Sequence, residues 1–222
     1  MPHAAPKRTV PKPGHTTLEV VHTNASEKIH TDSMGLERLI FFSDAVFAIA
    51  ITLLALDIRL PTDAATLSNS ELLQRLLELG PQYRGYGISF LVIGSFWMGH
   101  HSKFRFITRY DGRLLFMNLL LLLVIAFIPF PTAVLSENGN RTATIFYALT
   151  MIVGGLVSAI MWWYAVQGNR LVAADLSAKQ RLRGFVRNLI VPGVFLLSIG
   201  IAFFDDDLAK YSWLLIAFLA VY

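Results

Sequence analysis

From Leu114 to Leu135 the chain carries no charged residue, and its centre is the unbroken run Leu119-Leu120-Leu121-Leu122-Leu123. A segment of ~20 apolar residues is long enough to cross the hydrocarbon of a bilayer as a helix. Further apolar stretches run from about Leu39 to Leu60, Tyr86 to Met98, Ala143 to Val166, Phe185 to Phe204 and Tyr211 to Tyr222. Charged residues make up only 15% of the chain, against about 25% in ordinary soluble domains. Lipid as solvent accounts for that deficit.

Hydrocarbon offers a backbone no hydrogen-bond partner, so spanning segments are helices or closed barrel strands. Barrel strands alternate apolar and polar residues; these stretches are continuous. The expected fold is an all-α membrane protein with six transmembrane helices over residues 34–222. The second stretch is short and is extended through Gly80-Pro81-Gln82-Tyr83-Arg84 before it and His100-His101 after it. The sixth reaches Tyr222 still inside an apolar run, which reads as a helix cut short. Residues 1–33 are polar, hold Pro2, Pro6, Pro11 and Pro13, and lack the apolar core of a secretory signal. They read as a disordered tail.

Basic residues near the spans set orientation, because cytoplasmic loops are enriched in Lys and Arg. With six spans, fourteen of the nineteen Lys and Arg fall in the tail, in the loop after the second span and in the loop after the fourth. Both termini are therefore expected in the cytoplasm and Asp205-Asp206-Asp207 outside. The net charge of +4 follows from this topology and needs no nucleic-acid partner. With no cysteine present, disulfides and thiolate metal sites are excluded.

The first span holds the most chemistry. It opens Arg38-x-x-x-Phe42-Ser43-Asp44. Charged groups at the mouth of an apolar helix are costly in lipid and usually face protein or water. Arg38 and Asp44 lie ~120° apart on the helix, so each needs its own partner. The alternative is an interfacial arginine that snorkels and an aspartate favoured by the helix N-terminus. Further along, Ile49, Leu53 and Leu56 fall on one stripe with Thr52 at its flank. Facing a symmetry axis, such a stripe would make rings of branched side chains that gate by dewetting. The span is apolar nearly all round, so periodicity does not separate a pore face from a lipid or packing face.

Trp97, His100 and His101 close the second span, and Asn118 opens the third. Adjacent histidines do not share a helix face, and no third ligand is spaced for a metal, so no metal site is expected. Hydrogen bonds among His100, Asn118, Ser43 and Asp44 suit these residues better. Pro129 and Pro131 should bend or end the third helix. The chain shows no phosphate loop, metalloprotease motif or intramembrane nucleophile, and no enzyme or cofactor is expected.

The motif Arg38-x-x-x-Phe42-Ser43-Asp44, the Ala48–Leu54 run, Phe96-Trp97 with His100-His101-x-x-Phe104, and Asn118 through Pro129-Phe130-Pro131-Thr132 together resemble the transmembrane protein 175 family. That family comprises lysosomal potassium channels and their prokaryotic relatives. The resemblance implies a potassium-permeable cation channel whose first helix lines the pore. Ile49, Leu53 and Leu56 would form the constriction and Thr52 would aid selectivity. Arg38, Phe42, Ser43 and Asp44 would belong to a structural network with Trp97, His100 and Asn118 as candidate partners. The family lacks the TVGYG filter of ordinary potassium channels, and so does this chain. With one six-span repeat, the resemblance implies a homotetramer in a prokaryotic plasma membrane. Its partners would be lipid, potassium and other monovalent cations. The competing reading is a secondary transporter or proton-coupled carrier.

Overall fold

The computed structural model describes the backbone of residues 15–60, 67–173 and 176–216, and side chains from Met34 onward. The described residues hold eight α-helices and two short 3-10 helices joined by loops, with no strand among them. The α-helices are α1 (His15–Leu53), α2 (Asn69–Glu78), α3 (Gly80–Phe104), α4 (Gly112–Phe127), α5 (Pro129–Asn138), α6 (Arg141–Val166), α7 (Ala178–Ala202) and α8 (Asp206–Ser212). Helix α1 begins at His15, inside the segment that sequence assigned to a tail; residues 1–14 lie outside the described ones. The end of the sixth stretch, 217–222, also lies outside them.

Among the described residues, four segments are long and apolar enough to cross a membrane: Met34–Asp57, Gly112–Asn138, Arg141–Asn169 and Ala178–Ala202. Helix α3 has 25 residues, or about 37 Å at 1.5 Å per residue. It has the length of a span, but Arg84, His100, His101 and Lys103 lower its apolarity.

Local chemistry sets the ends. Ser68 and Glu71 form a reciprocal capping box on α2, as Ser177 and Gln180 do on α7. Asp111, Asn140 and Asp205 each accept a backbone N–H at the start of α4, α6 and α8. Burial pushes the Asp111 carboxyl up, but the Tyr164 hydroxyl, the Leu114 N–H and the Arg170 guanidinium hold it below its ordinary value. Pro129 has no N–H to continue α4, so the chain kinks at Ile128 and resumes as α5. Gly139 ends α5 at φ 61°, a left-handed conformation that suits glycine.

The bundle closes around large side chains. Tyr147 stacks on Trp213 at 4.8 Å, with Phe195 against both. The most extensive helix pairing is α6 on α7. It needs glycine twice: a Cβ on Gly155 would lie 2.5 Å from Pro192 Cδ, and one on Gly184 would lie 2.6 Å from the Trp162 ring. Small residues let helix backbones approach in this way. A buried hydroxyl cluster ties α3, α5 and α6 together: Ser89 Oγ lies 2.8 Å from Thr132 Oγ1 and 2.9 Å from Tyr147 Oη.

Candidate ion-conduction face and its anchoring network

The functional candidate is built on α1, whose two faces have different surroundings. Leu36, Leu39, Ser43, Phe47, Ala50 and Leu54 recur at three- and four-residue steps and are buried. This stripe meets α3 and α4. The facing side of the helix carries Arg38, Phe42, Ala45, Ile49, Thr52, Leu53 and Leu56, all exposed. Ile49, Leu53 and Leu56 are 57%, 39% and 54% exposed, so the described residues of the same subunit leave much of the apolar stripe open. The last turn tightens into a 3-10 helix, Leu54–Asp57, and leaves Leu56 on the outside. The Thr52 hydroxyl donates to the Ile49 carbonyl at 2.8 Å, a common way for threonine to satisfy itself within a helix.

Hydrogen bonds fix the rotation of α1. The Asn118 amide donates to Ser43 Oγ at 2.9 Å, and Ser43 in turn donates to the Leu39 carbonyl at 2.8 Å. The Asn118 carbonyl oxygen lies 2.9 Å from His100 Nε2. With the amide so oriented, His100 holds its proton on Nε2 and donates. Its ring stacks on Phe104 at 4.3 Å and sits 5.5 Å from the Phe47 ring. Ser43, His100 and Asn118 are fully buried, so each missing partner would leave a polar group without water. On the flank, Trp97 Nε1 donates to Asp44 Oδ1 at 2.9 Å.

The structure therefore joins Ser43, Asp44, Trp97, His100 and Asn118 across α1, α3 and α4. It does not bring Arg38 or Phe42 into that network. Both are exposed on the same side as Ile49 and Leu56, and Arg38 has no polar partner among the described residues. No cluster of three or more His, Asp or Glu suited to a metal occurs among the described residues.

Sequence reasoning missed Lys103. It counts there as a loop cation, yet it lies on the last turn of α3 and is only 5% exposed. Its ammonium donates to Ser158 Oγ and, at 2.9 Å, to Asn188 Oδ1. Ser158 sits mid-helix in the apolar run of α6, and that polar group was the available signal. Arg181, Arg183 and Arg187, also counted as loop residues, lie on α7.

Comparison with known proteins supplies independent findings. Residues 38–129 match the family described as endosomal/lysosomal potassium channel TMEM175. A potassium channel of Streptomyces collinus is 37% identical over 77% of this chain and 84% of its own length. One of Chamaesiphon minutus is 34% identical over 75% of this chain and 83% of its own. The crystal structure of a lysosomal potassium-selective channel TMEM175 homolog from Chamaesiphon minutus superposes with a TM-score of 0.74. It covers 85% of this chain and 97% of that one at 29% identity.

Proposed function

The chain belongs to the TMEM175 family, and from that premise we propose that it is one subunit of a potassium-permeable channel, a homotetramer in a prokaryotic plasma membrane. Six helices per subunit cross the bilayer, with α3 as the second and α8 opening the sixth. Both termini lie in the cytoplasm. Four copies of α1 surround the conduction path, and Ile49, Leu53 and Leu56 form its constriction.

The observation that carries this reading is the unpaired apolar stripe of α1, opposite a face locked by buried hydrogen bonds. Lipid could cover such a stripe, but a lipid-facing helix needs no network to fix its rotation. A pore helix does, because turning α1 by one residue would carry Asp44 or Ala48 to the axis. Rings of branched apolar side chains narrow the path and shed water. A permeating cation then gives up part of its hydration shell. Potassium, the larger ion, holds its water less tightly than sodium, and a narrow apolar ring favours it on that ground. Thr52, beside the stripe, offers a hydroxyl oxygen to a partly dehydrated ion. Arg38 and Phe42 lie on the same side, at the contact between neighbouring copies of α1.

Liposomes holding the purified protein under a potassium gradient test this directly. The expected result is potassium-driven flux with discrete single-channel openings in a planar bilayer. Saturable transport without openings would indicate a carrier. No flux would remove the transport reading.

A further inference from the structure

Between α3, α6 and α7 lies a cavity of ≈ 300 Å³. Its walls change character along its length. One end is formed by Phe106, Trp162, Gln180 and Arg183, where α3 and α6 finish and α7 begins. The other is formed by Ser95, Gly155, Val191 and Ile216. Between them stand Lys103, Arg187 and Asn188. Three cations thus line the cavity, and no Asp or Glu does among the described residues. The pairing of Ile107 with Val172 fixes the loops after α3 and α6 at the same end.

Lys103 makes this arrangement unusual. Its ammonium is buried, and its hydrogen bonds go to Ser158 and Asn188, which are neutral. Those bonds satisfy its protons but leave its charge uncompensated, and a buried charge without a counter-ion is costly. The start of α7 adds the positive end of a helix dipole to the same region. An anion placed among Arg183, Arg187 and Lys103 supplies the missing charge through charge-assisted hydrogen bonds.

We infer that this cavity is a binding site for the phosphate of an anionic lipid, whose acyl chain follows the apolar wall toward Val191 and Ile216. Phosphate is the shared chemistry with a free anion. A lipid is favoured because the basic end lies at the helix termini and the far end is apolar. In the proposed membrane orientation the basic end faces the anionic cytoplasmic leaflet, and the choice of lipid over free phosphate rests on that orientation.

Native mass spectrometry of the detergent-purified full chain tests the site. Short-chain phosphatidylglycerol, phosphatidylcholine of equal chain length and inorganic phosphate are each added at matched concentration. The expected result is retention of phosphatidylglycerol over phosphatidylcholine by about tenfold. Arg183→Gln, an exposed position that should fold normally, reduces that preference several-fold, and Lys103→Met abolishes it. Equal retention of both lipids, or unchanged preference in Arg183→Gln, overturns the proposal. So does retention of inorganic phosphate that competes away the lipid. Potassium flux of the same preparations separates the two readings. Flux without lipid preference sinks the site and leaves the channel, and preference without flux does the reverse.

Discussion

On one side of α1, Leu39, Ser43, Phe47, Ala50 and Leu54 meet other helices of their own subunit. On the other, Ile49, Leu53 and Leu56 stay largely open among the described residues. The two faces are almost equally apolar, yet they differ in how each side chain is constrained. The inner face includes two polar links, Ser43 to Asn118 to His100 and, at its edge, Asp44 to Trp97. The outer face has none to another helix among the described residues. Polar contacts between helices in a membrane are few, directional and costly to break. They therefore set which way the helix turns. The apolar stripe is left open for the constriction proposed above, which depends on size and dryness. Substitutions on the inner face should harm folding, and those on the outer face should harm conduction.

The largest effect is expected inside. Asn118→Leu leaves His100 Nε2 without a partner in a dry site and removes the amide donor to Ser43 Oγ, which keeps only its bond to the Leu39 carbonyl. At 1–3 kcal/mol for each buried unsatisfied group, the loss should be about 3 kcal/mol. A lowered thermal midpoint and poor recovery by size-exclusion chromatography are the readouts. A normal midpoint would show that the network does not hold α1.

Next, Ile49→Asn puts an amide on the outer face. Assembly should stay intact while potassium-over-sodium selectivity in liposomes falls by about tenfold, or ~1.4 kcal/mol. Wild-type selectivity in an assembled variant would remove Ile49 from the constriction.

Asp44→Ala tests the flank. Trp97 is 40% exposed, so the lost bond should cost only about 1 kcal/mol. Tetramer yield should drop while flux per assembled channel holds. Full yield would mean that Asp44 does not orient α1.

Thr52→Val should be the mildest. The Thr52 hydroxyl already bonds to the Ile49 carbonyl, so selectivity should shift a few-fold with no change in stability. A stability loss would place Thr52 on the inner face.

Much of the fold could be read from the sequence, because the stretches around Leu119–Leu123 and Ala143–Val166 have only one stable form in lipid. The helix starts were not read: α2 was not expected and α7 was expected only from Phe185, although Ser68 and Ser177 precede Glu71 and Gln180 at capping spacing. The division of α1 into faces could not be read. Leu53 and Leu54 are adjacent and chemically identical, yet only Leu54 is buried. Nothing in a uniformly apolar helix records which side its neighbours occupy. Lys103 was hidden for a related reason. A lysine among other basic residues near a span end looks like a topology signal. Only the approach of Ser158 from α6 and Asn188 from α7 shows that it is enclosed.

The chain contains no cysteine, so a single introduced thiol reports on its own position. The most direct measurement is potassium flux through Leu53→Cys channels before and after silver ion, a monovalent cation near potassium in size that binds thiolate. Four copies of α1 around a shared axis predict that silver blocks Leu53→Cys and Ile49→Cys channels and spares the wild type and Ala50→Cys. Unblocked flux in both Leu53→Cys and Ile49→Cys, with block at Ala50→Cys instead, would contradict the account.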